Sequence, residues 1–161
     1  MTTQTALGTL TALICVLVFG AHAEAQLPKQ GTYSSHFGWY ATGKTFELEK
    51  GHILFQGEFN GTNFNDAGHG FLHKTSVVCP GVNDVINGAS RASQGYCVVT
   101  DQDGDKAFLV WKAGKGFDGD FQWTGGTGKY TGITGNNAFT ALLIGPTPSG
   151  YSVWKGEWKL P

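Results

Sequence analysis

Several things are scarce in this chain, and each scarcity removes a class of function. Only 14% of its 161 residues are charged, with 11 Lys and Arg against 12 Asp and Glu. The two signs are interspersed, so no basic patch awaits a phosphate backbone, and nucleic acid is not an expected partner. No polybasic stretch suits an anionic membrane surface, and no apolar run after the N-terminal segment is long enough to span a bilayer. Phosphate-binding loops are missing too. Gly128-Lys129 is followed by Tyr130, where a P-loop needs Ser or Thr, and Trp123 stands where its first Gly belongs. The dinucleotide spacing fails at Thr131. There is no Gly-x-Ser-x-Gly elbow and no His-Glu-x-x-His, so neither nucleophilic catalysis nor a catalytic zinc site finds support.

Cysteine is equally sparse. Cys15 falls in an apolar run, Leu10 to Gly20, followed by Ala21-His22-Ala23 and Ala23-Glu24-Ala25. Such a run with small-x-small sites reads as a signal peptide over residues 1–25, cut after Ala23 or Ala25. No Lys or Arg precedes the apolar core, which leaves a retained membrane anchor as the alternative. Cleavage yields one domain, residues 26–161, exported to a periplasmic or extracellular space. Cys79 and Cys97 are then its two cysteines. An even pair in an exported chain predicts a disulfide, and their spacing does not suit a metal.

What the chain does have is alternation. Ile53, Phe55, Gly57 and Phe59 share one parity against Leu54, Gln56, Glu58 and Asn60. Phe121 and Trp123 oppose Asp120, Gln122 and Thr124, and Trp154, Gly156 and Trp158 oppose Lys155, Glu157 and Lys159. A period of two means half-buried strands. Turn signals separate them at Thr42-Gly43, Lys50-Gly51, Asn60-Gly61, Asp103-Gly104, Lys115-Gly116, Gly135-Asn136 and Ser149-Gly150. Gly81 to Ser93 reads as a loop or short helical turn. Eight or nine antiparallel strands without a long helix point to an all-β barrel or sandwich. Large aromatics beside glycines on the inward parity suit a tapering barrel of eight strands.

The glycine-rich run Gly125 to Gly135 predicts a tight turn and a sharply curved strand. With Gly95-Tyr96-Cys97, Asp101-x-Asp103-Gly104-Asp105-Lys106, Trp111 and Phe121-x-Trp123 before it, this stretch resembles small exported bacterial proteins of unassigned role. Through its Gly-Thr-Gly-Lys-Tyr-x-Gly turn it also resembles the allene oxide cyclase and dirigent barrels. The resemblance implies an eight-stranded, allene oxide cyclase-like or lipocalin-like barrel with an apolar lumen, often oligomeric. The catalytic carboxylate and asparagine of the cyclases match no positions here, so the activity does not carry over.

The remaining clusters have ordinary readings. Asp101-Gln102-Asp103-Gly104-Asp105 lacks the glycine and glutamate positions of a calcium loop and reads as an acidic hairpin turn. His69 and His73, four apart on a strand, would stand about 13 Å apart, too far for one ion. Strand parity, taken from an outward Lys74, turns Phe71, His73, Thr75 and Val77 inward. Glu58 and Glu157 face outward, which argues against a carboxylate pair. The sequon Asn60-Gly61-Thr62 fits a surface turn.

The same parity sends Phe46, Phe55, Phe59, Trp111, Phe121, Trp123, Trp154 and Trp158 into one interior, joined by Phe37 and Trp39. Simple packing is one outcome, and a lumen for one small ligand is the other. The expectation is a barrel binding a small apolar or aromatic molecule, without cofactor or metal. Trp39, Phe55, Phe59, Trp111, Trp123, Trp154 and Trp158 would be its walls, and His73 its orienting polar group and candidate catalytic residue. Two alternatives stand beside it: a cofactor-free isomerase or cyclase, and a filled barrel acting through its outer surface. Apolar residues on both faces of Ala138 to Ile144 suggest a homo-oligomer.

Overall fold

In the computed structural model, which describes residues 27–145 and 148–161, eight antiparallel strands close into one barrel. The expected signal peptide and its cleavage sites lie outside the described residues. The strands are β1 Gln30–Glu49, β2 His52–Asn65, β3 Thr75–Ile86, β4 Ala89–Thr100, β5 Lys106–Ala113, β6 Gly119–Gly126, β7 Gly135–Leu143 and β8 Ser149–Lys159. Each pairs with its sequence neighbour, and β8 returns to pair with β1. The expected all-β eight-stranded barrel is the fold observed.

Strand pairing also fixes the tilt. Partners traced from Gly43 on β1 run through Gly57, Gly81, Gly95, Trp111, Phe121, Asn137 and Gly156. The path reaches β1 again at Tyr33, a stagger of ten residues from 43 to 33. A stagger of that size tilts the strands by about 40° and widens the bore of an eight-stranded barrel. The row is also a glycine seam, with Gly43, Gly57, Gly81 and Gly95 side by side on four neighbouring strands.

Several local expectations change. Thr42-Gly43 and Asn60-Gly61 are not turns but lie within β1 and β2. The sequon therefore sits mid-strand, and a side chain at Gly61 would collide with the Gly38 carbonyl. Gly81 to Ser93 is no loop: it is the end of β3, a tight turn at Asn87-Gly88 and the start of β4. Both turn residues have left-handed φ, 50° and 78°, the requirement of a two-residue type I′ hairpin. Phe46 points outward and is 46% exposed, because β1 keeps its alternation from Trp39 onward. The glycine-rich run forms a connection with one 3-10 turn, Gly128–Tyr130, rather than a curved strand.

Candidate functional site

The two ends of the barrel are built differently. At one end the β2–β3 loop folds into the bore and brings Phe71 and Leu72 with it, 5% and 1% exposed. Asn63 and Asn65 hold it there, donating from their amides to the carbonyls of Leu72 (2.8 Å) and Phe71 (2.9 Å). The glycine-rich connection between β6 and β7 adds Tyr130 and Ile133, also buried. Phe71 stacks on Trp158 at 4.6 Å and meets Tyr33 and Trp123 edge-on. These rings pack against one another across the bore. Burial pushes the Tyr33 hydroxyl well above its ordinary value, so it stays protonated.

A charge clamp fastens this closed end. Lys129 reaches from the β6–β7 connection to the acidic β4–β5 turn, 2.9 Å from Asp101 and 2.5 Å from Asp103. Asp105 accepts the Lys129 backbone N–H at 3.0 Å. Burial alone would raise Asp101, but hydrogen bonds from Lys129 and the Asp103 backbone N–H hold it below the ordinary carboxyl value. Burial likewise opposes the Lys129 charge, yet its two carboxylate partners raise its pKa. The acidic turn and the Gly-Thr-Gly-Lys-Tyr run are thus two halves of one structural lock.

The other end is open. Hairpins β1–β2, β3–β4, β5–β6 and β7–β8 rim a cavity of about 360 Å³, within the size range of small-molecule sites. Its wall carries Trp39, Phe55, Phe59, Trp111, Phe139 and Leu143, and its floor is Phe37, Phe121 and Trp154. The floor rings touch edge to face or tilted at 5.1–5.3 Å and divide the cavity from the filled half. Cys79 and Cys97, opposite one another on β3 and β4 with Cα atoms 4.0 Å apart, are joined by a disulfide in the same wall.

Glycine keeps this half open. The Trp111 indole lies against Gly81 and Gly95, so a Cβ at Gly81 would stand 2.5 Å from its ring and one at Gly95 2.8 Å. Phe55 lies against Gly43 and Gly57 in the same way, Phe139 against Gly119, and Trp39 against Gly150. A ring laid on a wall that has no side chain of its own does not project to the axis. The seam has an outer counterpart, a wide furrow of about 1180 Å³ between rows of exposed polar side chains. That furrow follows the open pleat of the outer surface.

Polar groups on the cavity wall are few and uncharged. Asn83, Ser93 and Ser152 contribute, and the Trp39 indole N–H donates to Ser152 Oγ at 3.1 Å. The Trp111 N–H and Asn83 Oδ1 are buried without a protein partner. No Asp, Glu, His, Lys or Arg lines the cavity among the described residues.

Five of the eight residues expected around a ligand meet there: Trp39, Phe55, Phe59, Trp111 and Trp154. Trp123 and Trp158 are inward, as parity required, but sit in the filled half, 4% exposed each. His73 departs altogether. It stands outside the bore in the β2–β3 loop, between Leu72 and Lys74, whose φ angles are left-handed at 53° and 57°. Those two residues break the alternation, and the His73 ring packs at 6.0 Å from the half-exposed Phe64. It does not line the cavity. Phe117, Phe139 and Leu143, which parity or position could have supplied, were not expected in the wall. Two further polar sets lie on the outside: His52 Nε2 with Asp84 at 2.7 Å, and Asp66 with Ser34 and His36. The Ser34 hydroxyl first, and His36 after it, lower the Asp66 carboxyl. In neither set does a serine face a histidine nitrogen across a cleft, as a hydrolytic triad would need.

No family model matches the chain, and no curated protein matches it in sequence. Solved structures similar to it include the pterocarpan synthase dirigent protein PsPTS1, with a TM-score of 0.53 and 12% identity over 84% of this chain and 97% of that one. Another is the pterocarpan synthase dirigent protein GePTS1, with a TM-score of 0.50 and 8% identity over 91% of this chain and all of the other. At such identity the likeness is one of fold, the closed eight-stranded antiparallel barrel. The disulfide is consistent with an exported protein. Among the described residues no helix is long and apolar enough to cross a membrane.

Proposed function

We propose that this chain is an exported barrel that binds one small, uncharged apolar or aromatic molecule in its open half. One observation carries the reading: an aromatic cavity of about 360 Å³ with no ionisable side chain in its wall. Burying a charge there would cost far more than the wall could return, so the ligand is neutral. Aromatic faces and aliphatic groups supply contact, and the few amides and hydroxyls orient it. A second reading is a cofactor-free isomerase or cyclase acting on a shaped substrate, favoured by the pterocarpan synthase name of the two dirigent proteins of similar fold. Such chemistry would draw on confinement and exclusion of water, because the cavity offers no acid or base.

The test is a titration of residues 26–161 with apolar fluorophores, fatty acids and terpenoids, read by tryptophan emission. Saturable one-to-one quenching, removed by the cavity-filling variant Ala141→Trp, supports lumen binding. A flat response across the panel contradicts it. Recovery of a bound compound chemically changed would favour the second reading over the first.

A further inference from the structure

Two residues of the cavity wall, Trp111 and Asn83, each carry a buried polar atom without a protein partner, the indole N–H and the amide Oδ1. Strand register makes them neighbours. Trp111 on β5 pairs with Gly95 on β4, which pairs with Gly81 on β3, and the indole lies against both glycines. Asn83 is the next inward residue after Gly81 toward the open mouth, about 7 Å further along β3. Its cross-strand partner does not answer it, because the Ser93 hydroxyl is engaged with Ser90 Oγ at 2.8 Å. Elsewhere in the wall the Trp39 N–H is met by Ser152 Oγ. An apolar side chain in place of either group would build the same wall and strand nothing. A donor and an acceptor left open side by side in an otherwise apolar wall are therefore a demand on whatever enters.

We propose that the lumen takes a neutral molecule with an aromatic or apolar body and one hydroxyl group, a phenol or an alcohol, seated against Trp111 and Asn83. The ligand oxygen accepts the Trp111 N–H, and its O–H donates to Asn83 Oδ1. A hydroxyl is the smallest neutral group that does both. An ether or a ketone meets the indole alone, and a hydrocarbon meets neither atom. A carboxylate or an ammonium group is excluded, since no ionisable side chain lines the cavity among the described residues. Asn83 lies near the mouth, on the last turn-ward part of β3, which ends at Ile86. The hydroxyl thus sits high in the cavity, and the apolar body points down to the floor of Phe37, Phe121 and Trp154. Selectivity follows because a ligand without the hydroxyl leaves both buried atoms unpaired. The proposal rests on the lumen-binding reading and narrows it to one chemical class.

Equilibrium dialysis of residues 26–161 against three naphthalenes of similar shape tests it. The hydroxyl of 2-naphthol accepts and donates, 2-methoxynaphthalene only accepts, and 2-methylnaphthalene does neither. Affinities are read as ratios to 2-methylnaphthalene on the same protein, so that a change in cavity size cancels. Asn83→Leu lowers the 2-naphthol ratio about fivefold or more and leaves the 2-methoxynaphthalene ratio within about twofold of wild-type. Trp111→Phe lowers both ratios, each by about threefold or more. Circular dichroism confirms that the variants are folded, and each tests its own atom, so one folded variant suffices. The proposal is overturned if 2-methylnaphthalene binds and neither variant moves a ratio, a result that leaves the lumen reading standing. It is also overturned if Ala141→Trp abolishes binding of the hydrocarbon but not of 2-naphthol, which would put the hydroxyl compound elsewhere on the protein. Binding of none of the three removes the lumen reading and this one with it.

Discussion

The closed and open halves of the barrel are made of the same kinds of residue on the same strands, and they do opposite things. Trp158 and Trp154 are four residues apart on β8 with the same inward parity, each 4% exposed. One stacks on Phe71 in a filled bore, and the other is the floor of a cavity. The difference lies in what enters from outside the strands. At the closed end, the β2–β3 loop and the β6–β7 connection contribute plugs. At the open end the hairpins are short, and glycines let the rings lie back on the wall. A lumen in such a barrel is thus decided by loops and by missing side chains more than by the aromatics themselves.

The largest expected contrast is between removing a ring from each half. Trp158→Ala leaves a void in close-packed surroundings and lowers stability by about 3–5 kcal/mol, read as a shifted urea midpoint. Phe55→Ala enlarges a cavity that already exists and costs only about 1 kcal/mol. Equal losses would mean that both halves are equally packed. Next comes Gly95→Ala, whose new methyl would collide with the Pro80 carbonyl and press on Trp111. A loss of about 1–3 kcal/mol is expected, together with weaker binding of an apolar probe as Trp111 is pushed toward the axis. Unchanged binding would argue against the glycine seam as the device that holds the lumen open.

A smaller effect belongs to the clamp. Asp101 is lowered in the folded protein, so its contribution is full above the ordinary value of 3.8 and is lost as pH falls through the folded value. Lys129 is raised, so its contribution holds through neutral pH and is lost only as pH rises beyond the ordinary 10.5. Lys129→Met should therefore cost about 1 kcal/mol at pH 7, and stability should then fall less steeply below pH 4. An unchanged acid limb in thermal melts would contradict the clamp. Smallest of all is the effect of His73→Ala on probe affinity, which should stay within about twofold of wild-type, since the half-buried residue lies away from the cavity.

Much of this architecture was legible in the residues. A period of two named the strands and the inward face, and the large rings beside glycines suggested a bore with room in it. Parity, however, reports a face and not a depth. Trp123 and Trp158 share their parity with Trp111 and Trp154, and only the stagger of the whole barrel and the inserted loop separate them. Alternation also fails where the backbone turns left-handed at a residue other than glycine. Leu72 and Lys74 do so on either side of His73, and no residue type at those positions announces it. Gly43 and Gly61 look like turn residues because their use here, close contact between neighbouring strands, depends on partners far away in sequence. The Asn87-Gly88 hairpin signal was in plain view. The polar residues after Gly81 masked it.

Xenon placed under pressure in a crystal of residues 26–161 probes the two halves together, because it enters dry apolar cavities and cannot enter packed cores. An open lumen over a filled base predicts xenon density bounded by Phe55, Phe59, Trp111 and Phe139, and none among Tyr33, Phe71, Trp123 and Trp158. An open half without xenon, its rings swung in to fill the bore, would contradict the account at its centre.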